Sequence, residues 1–166
     1  CAFFAGRAWY AGIKSNDVGS WVMFSQVLLE KDYIGKCYQN GDPTSEFSPD
    51  LVDSDGGVVP IPEAGAIVAL KATSGGVVVF ASNGVWFIGA GVGAKFSASS
   101  YEVRKVSSLG VLSAKTVVAA EDTVIFWSSG GIYVLQTDPT SGLPVASSLT
   151  DNTIKTFYNN IPATGK

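Results

Sequence analysis

Residues Val77 to Gly89 read VVVFASNGVWFIG, and the reading of this stretch decides the fold. Val77–Phe80 and Val85–Ile88 are β-branched and aromatic runs, the residue types that fit a pleated, half-buried surface. Between them lie Ser82, Asn83 and Gly84. Asn-Gly tolerates the positive φ angles of a tight turn, so the stretch is expected to be a β-hairpin. The chain repeats it. Thr123 to Leu135 reads TVIFWSSGGIYVL, with Phe126, Ser128 and Gly130 aligned on Phe80, Ser82 and Gly84, a step of 46 residues. A partial third copy is read near the start, where Gly6-Arg7-Ala8-Trp9-Tyr10-Ala11-Gly12 parallels Gly84 to Gly89. Hairpins recurring every ~40 to 50 residues are the signature of blades in a β-propeller.

Composition points the same way. Of 166 residues, 46% are hydrophobic and only 15% charged, with 19 Gly and 11% aromatics. Gly serves turns and aromatics fill sheet faces, so an all-β chain is expected: a partial propeller of repeated antiparallel hairpins. The chain opens at Cys1 inside the apolar run Ala2-Phe3-Phe4-Ala5, so residues 1–166 are expected to form one propeller-type segment of a longer polypeptide. Lys36 to Gly57 is a long connection of few apolar residues, expected to be ordered by another chain and mobile without it. One short amphipathic helix is expected within Ser148–Asn160, capped by Thr150, with Ile154, Phe157 and Tyr158 as a packed stripe.

The chemistry-bearing residues are sparse. There is no His, which removes the commonest general base and metal ligand. Cys1 and Cys37 are expected to be free thiols rather than a bridge. Gly89-Ala90-Gly91-Val92-Gly93-Ala94 fits a loose dinucleotide fingerprint, but Lys95–Ser100 is no convincing helix and no acid lies between Arg104 and Lys115. Asp50, Asp53 and Asp55 with Gly56 resemble a calcium loop, yet the helix-loop-helix register puts Leu51 first and Pro62 twelfth, which fails. A looser ion site in that loop stays open beside the plainer reading, a solvated turn. Glu121-Asp122 are adjacent in a turn and project apart, unlike a catalytic pair. No Gly-x-Ser-x-Gly elbow occurs. No catalytic, cofactor or metal residue is assigned, and no enzyme is expected. The net charge of −3, with no basic run, offers no grip for phosphates. No apolar run approaches the ~20 residues of a membrane helix, so no membrane partner is expected.

Several short motifs then carry a resemblance. Gly6-Arg7-Ala8-Trp9-Tyr10-Ala11-Gly12, Val22-Met23-Phe24-Ser25-Gln26, Asp42-Pro43 and Asp53-Ser54-Asp55-Gly56 are followed by Ile67-Val68-Ala69-Leu70, the Val79–Trp86 hairpin and Leu109-Gly110. Together they resemble the tail nozzle proteins of short-tailed bacteriophages, also called tail tubular protein B or stabilisation protein. The resemblance implies a propeller platform in a larger subunit and a ring of six copies that closes the DNA exit and then conducts the genome. It also implies adaptor and tail-fibre neighbours, passage of DNA without specific binding, assembly in the bacterial host cytoplasm and a place in the virion. No gate residue is carried over. The alternatives are a propeller or lectin-like module that recognises a host surface or glycan, and a propeller-based hydrolase with acids at its mouth.

Overall fold

The computed structural model describes residues 1–42, 50–90 and 93–162. They form three four-stranded antiparallel sheets, each a simple meander, and one short helix. Sheet I holds β1 (Ala2–Phe4), β2 (Arg7–Tyr10), β3 (Trp21–Phe24) and β4 (Gly57–Pro60). Sheet II holds β5 (Ile67–Ala72), β6 (Gly76–Ala81), β7 (Gly84–Gly89) and β8 (Glu102–Ser107). Sheet III holds β9 (Val117–Ala120), β10 (Thr123–Ser128), β11 (Gly131–Thr137) and β12 (Pro144–Ser148). The helix α1 spans Lys155–Asn160. The fold is all-β, with the sheets stacked in chain order and not closed into a ring.

Sheet II is the centre because both of its faces are covered. Side chains alternate across a strand, so β6 and β7 present two layers. Val77, Val79, Trp86 and Ile88 pack against Trp9, Val22, Phe24 and Val59 of sheet I. Val78, Phe80, Val85 and Phe87 pack against Val117, Val124, Phe126 and Leu135 of sheet III. Every residue of β6 and β7 is therefore buried, which explains why Val77–Phe80 reads as a continuous apolar run rather than an alternation. Trp86, 2% exposed, sits in the layer between sheets I and II.

The pairing corrects the repeat. The hairpin in sheet II closes on the pair Ala81↔Gly84 and the one in sheet III on Ser128↔Gly131. Gly131 therefore stands where Gly84 stands, and the step is 47 residues, not the expected 46. A shift of one residue exchanges the faces of a strand. Phe126 is thus the counterpart of Val79, pointing back to the preceding sheet, and Trp127 is the counterpart of Phe80. Identity of residue type (Phe with Phe, Ser with Ser) gave the wrong register because it ignored which pair closes the turn. The partial copy at Gly6–Gly12 is corrected likewise. It falls largely on β2, the second strand of its sheet, whereas Gly84–Gly89 is β7, a third strand.

The turns also differ from expectation. Neither Asn83 nor Gly84 has positive φ. Asn83 acts through its side chain: Oδ1 accepts from the Gly65 amide at 2.7 Å, and Nδ2 donates to the Glu63 carbonyl at 2.9 Å. It ties the strand connection to the hairpin tip. The positive-φ pair lies instead at Ala5 (φ 51°) and Gly6 (φ 68°), where it joins β1 to β2.

The C-terminal helix is shorter than its expected range and is preceded by Ile154, not capped by Thr150. Thr150 is buried, and its hydroxyl accepts weakly from the Ile132 amide at 3.4 Å. The stripe is not packed: Ile154 and Phe157 are exposed at 48% and 68%, and only Tyr158 is buried, its hydroxyl donating to the Ser128 carbonyl. A six-residue helix has too few turns to stand without such an anchor.

Candidate functional site

The densest polar constellation lies where sheet I meets the long connection. Arg7 pairs with Phe4 across β1–β2 and so points to the interior side of sheet I. It is 2% exposed. Its Nη1 donates to the Ser25 carbonyl at 2.7 Å and to the Asp55 carbonyl, and its Nη2 donates to the Asp53 carbonyl. The guanidinium carbon stands 5.4 Å from the Phe24 ring centroid and 5.8 Å from that of Phe96. A fork of N–H donors over two aromatic faces is what makes Arg the buried cation of choice. Burial lowers its pKa, and the nearby Asp55 and Asp53 charges oppose that. The group stays a cation, since guanidinium does not deprotonate in proteins. The carbonyl cluster that would otherwise invite a metal ion is already filled by this side chain.

The two carboxylates nearby are turned to other work. Asp55 accepts from the Asn40 amide at 2.9 Å and the Val52 amide at 3.0 Å. Asp53 accepts from the Ser99 hydroxyl, and hydrogen bonds from Ser99 and Ser97 hold its pKa below the usual carboxylate range. Among the described residues no group of three or more His, Cys, Asp or Glu is placed to hold a metal ion. The described end of the connection, from Asp50 to Gly57, is tied to this chain by the Arg7 and Asp55 hydrogen bonds; residues 43–49 lie outside the described set. Lone cations in the sequence gave no hint of this, because Arg7 and Asp53 are 46 residues apart.

Phe96 is a second residue that sequence reasoning missed. It lies in the Gly/Ser-rich loop after β7, yet it is 8% exposed and packs edge-on against Trp9 at 4.9 Å and Phe24 at 5.4 Å. The glycine fingerprint of that loop falls partly outside the described residues, at 91 and 92. Glu121 and Asp122 form the turn between β9 and β10, and Asp122 accepts from the Ser74 amide of sheet II at 2.7 Å. Cys1 and Cys37 are both free, and burial pushes the Cys37 thiol up to about 11, so it stays protonated and unreactive at neutral pH.

Two surface features remain. A groove of about 350 Å³ runs between β8 and β12, lined by Phe87, Arg104, Lys105, Val106, Leu143 and Val145. Its cations are engaged: Arg104 pairs with Glu102 at 2.7 Å, and Lys105 lies 5.2 Å from the Trp86 ring centroid. The second feature is the outer face of sheet III. Register puts Val118, Ile125 and Val134 side by side, with Trp127 opposite Ile132 and Val145 opposite Gln136. Val118 is 59% exposed, Val145 50%, Trp127 40% and Ile125 37%. These positions correspond to the layer of sheet II that sheet III covers. No carboxylate, ammonium or guanidinium belongs to that face; its polar members are Thr123, Gln136 and Ser147.

No family model matches the chain, and no curated protein matches it. Among solved structures, a crystal structure of human WBSCR16 is similar, at 14% identity over 78% of this chain and 37% of that one, with a TM-score of 0.33. The chain thus spans well under half the length of that protein. A likeness at that level carries no argument about activity.

Proposed function

We propose that the chain is a structural, non-catalytic element whose open sheet stack is completed by contact with other protein. With the family resemblance, the reading becomes a component of a short-tailed phage tail: part of the nozzle ring in the virion, assembled in the bacterial host cytoplasm beside adaptor and fibre proteins. The observation that carries it is the partly exposed, uncharged outer face of sheet III, where Val118, Ile125, Trp127 and Val145 surround the buried Val134. A contiguous apolar face on a soluble protein marks an interaction site.

Two further observations support the reading. The described ion pairs are exposed surface pairs, Lys36–Asp32, Arg104–Glu102 and Lys155–Asp151, rather than groups converging on a pocket. A net charge of −3 with no basic stripe suits a conduit through which DNA slides without being held. The second reading, a module recognising a host surface or glycan, is favoured by the exposed aromatics Phe3, Trp127 and Phe157. Negative-stain imaging of the chain mixed with phage adaptor and tail proteins separates the two. Six-fold rings that incorporate the chain are the expected result. No incorporation, together with binding on a glycan array, would replace the first reading by the second.

A further inference from the structure

We propose that Asn40-Gly41 is a site of self-modification, where the side-chain amide is lost to water over time and the long connection loosens as a result. Asn83-Gly84 carries the same two residues and is held unreactive by the fold.

The chemistry is local and needs only water. Asn is among the thermolabile residues. The Gly41 backbone nitrogen attacks Asn40 Cγ, the Cγ–Nδ2 bond breaks, and ammonia leaves with the proton that the nitrogen gives up. A cyclic imide remains. Water then adds to either of its carbonyls. Breaking the new Cγ–N bond gives aspartate. Breaking the bond from the Asn40 carbonyl carbon to nitrogen gives isoaspartate, whose backbone runs through Cγ. The balance is one water in and one ammonia out. Glycine is the favourable successor, because no side chain restricts the turning of its backbone. Ring closure requires the nitrogen and Cγ to come to near-attack distance, so whatever holds them apart sets the rate.

The chain has two Asn-Gly pairs, and the fold treats them oppositely. Asn83 has both ends of its amide engaged, Oδ1 with the Gly65 amide and Nδ2 with the Glu63 carbonyl. Gly84 is buried in β7 and paired with Ala81. A Cβ there would stand 2.8 Å from the Ser107 carbonyl oxygen and 2.9 Å from the Trp86 ring, so the backbone has no space in which to turn. Asn40 is exposed, in the turn that the Asp42 amide closes by donating to the Gln39 carbonyl at 3.1 Å. Among the described residues no hydrogen bond holds its side-chain amide. Gly41 is exposed with φ 83°, and a Cβ on it would meet nothing within 4 Å.

The reactive pair lies on the clasp of the connection. The Asn40 backbone amide donates to Asp55 Oδ1 at 2.9 Å, Gln39 Nε2 to the Asp50 carbonyl at 3.1 Å, and the Gly56 amide to the Tyr38 carbonyl at 3.2 Å. Asp55 is 1% exposed. The reaction places a new carboxylate on the residue that holds this buried one, and like charges in one site oppose each other. Isoaspartate also adds a methylene to the backbone of the turn. Both changes weaken the hold of residues 38–42 on residues 50–56, and neither reverses unaided.

The test is to age the full chain at mildly alkaline pH, in native buffer and in guanidinium, and to follow both pairs by peptide mapping and mass spectrometry. In the native chain Asn40 is expected to convert roughly 10²-fold faster than Asn83, the effect that a small misplacement of reacting atoms produces. In guanidinium the two are expected to convert at similar rates, since neither is then constrained. Amide hydrogen exchange at residues 52–56 should rise in the aged native chain and not in aged Asn40→Gln, whose longer side chain closes the ring far less readily. Asn83 keeping pace with Asn40 in the native chain, or Asn40 intact there after it has reacted in guanidinium, would overturn the proposal. So would unchanged exchange at residues 52–56 once Asn40 has converted.

Discussion

Sheets II and III carry the same hairpin and differ in what lies over it. Phe80 and Trp127 occupy equivalent places one residue before the end of β6 and β10, yet Phe80 is wholly buried and Trp127 is 40% exposed. The backbone pairing is the same in kind; the cover is not. Burial here is set by position in the stack rather than by the hairpin itself. The lesson is that a blade cannot be judged by its own sequence alone: a repeat unit buries one face only when a neighbour supplies the other.

The largest expected effect breaks or upholds that contrast directly. Phe80→Ala and Trp86→Ala should each cost roughly 3 to 5 kcal/mol, because a large ring leaves a cavity between packed sheets. Trp127→Ala should cost under about 1 kcal/mol, as a surface truncation does. Urea denaturation of the three variants at low protein concentration checks both figures. Equal losses at Phe80 and Trp127 would mean that the face of sheet III is covered within the chain.

The junction of sheets I and II adds a polar element that the junction of sheets II and III lacks. On the sheet I side of the former, Arg7 bonds carbonyls of Ser25 and the long connection, and the latter rests on contacts such as Phe80 with Phe126, whose ring centroids are 5.5 Å apart. Arg7→Ala should therefore cost about 3 kcal/mol, since several charge-assisted hydrogen bonds to buried carbonyls are lost together. Amide hydrogen exchange should speed up at residues 52–56 and stay unchanged in β10 and β11. Uniform acceleration would show that Arg7 supports the whole stack rather than the connection.

A smaller effect comes from acid. The folded pKa of Asp53 is depressed, first by its hydrogen bond from Ser99, then by that from Ser97 and, more weakly, by the charge of Arg7. Its contribution is complete above the ordinary carboxylate value near 4 and is lost as pH falls through the lower folded value. Amide NMR shifts of Ser97 and Ser99 should titrate with a midpoint below the usual range, while Val124 to Phe126 do not move. A midpoint at or above 4 would remove the tie between the connection and the 97–100 loop.

Much of this architecture was legible in the sequence, and the exceptions have physical causes. The two β-branched and aromatic runs around Ser82-Asn83 specify a hairpin because their residue types fit a pleated face and nothing helical competes. The face assignment of the repeat was not legible, because a one-residue difference in register is decided by the closing pair of a turn and not by residue identity. Arg7 and Phe96 were missed for another reason. Their partners are brought together by strand pairing and loop return across tens of residues, so no local pattern marks them. The apolar stripe of α1 misled because helical periodicity states which side chains share a face, not whether anything covers that face.

Covalent footprinting of the monomer by carbene labelling and mass spectrometry tests the stacking register most directly. Modification is expected at Ile125 and Trp127, with Val124, Phe126 and Phe80 protected. Labelling of Phe126 with protection of Trp127 would restore the 46-residue step, turn sheet III over and contradict the bare face on which the proposed contacts rest.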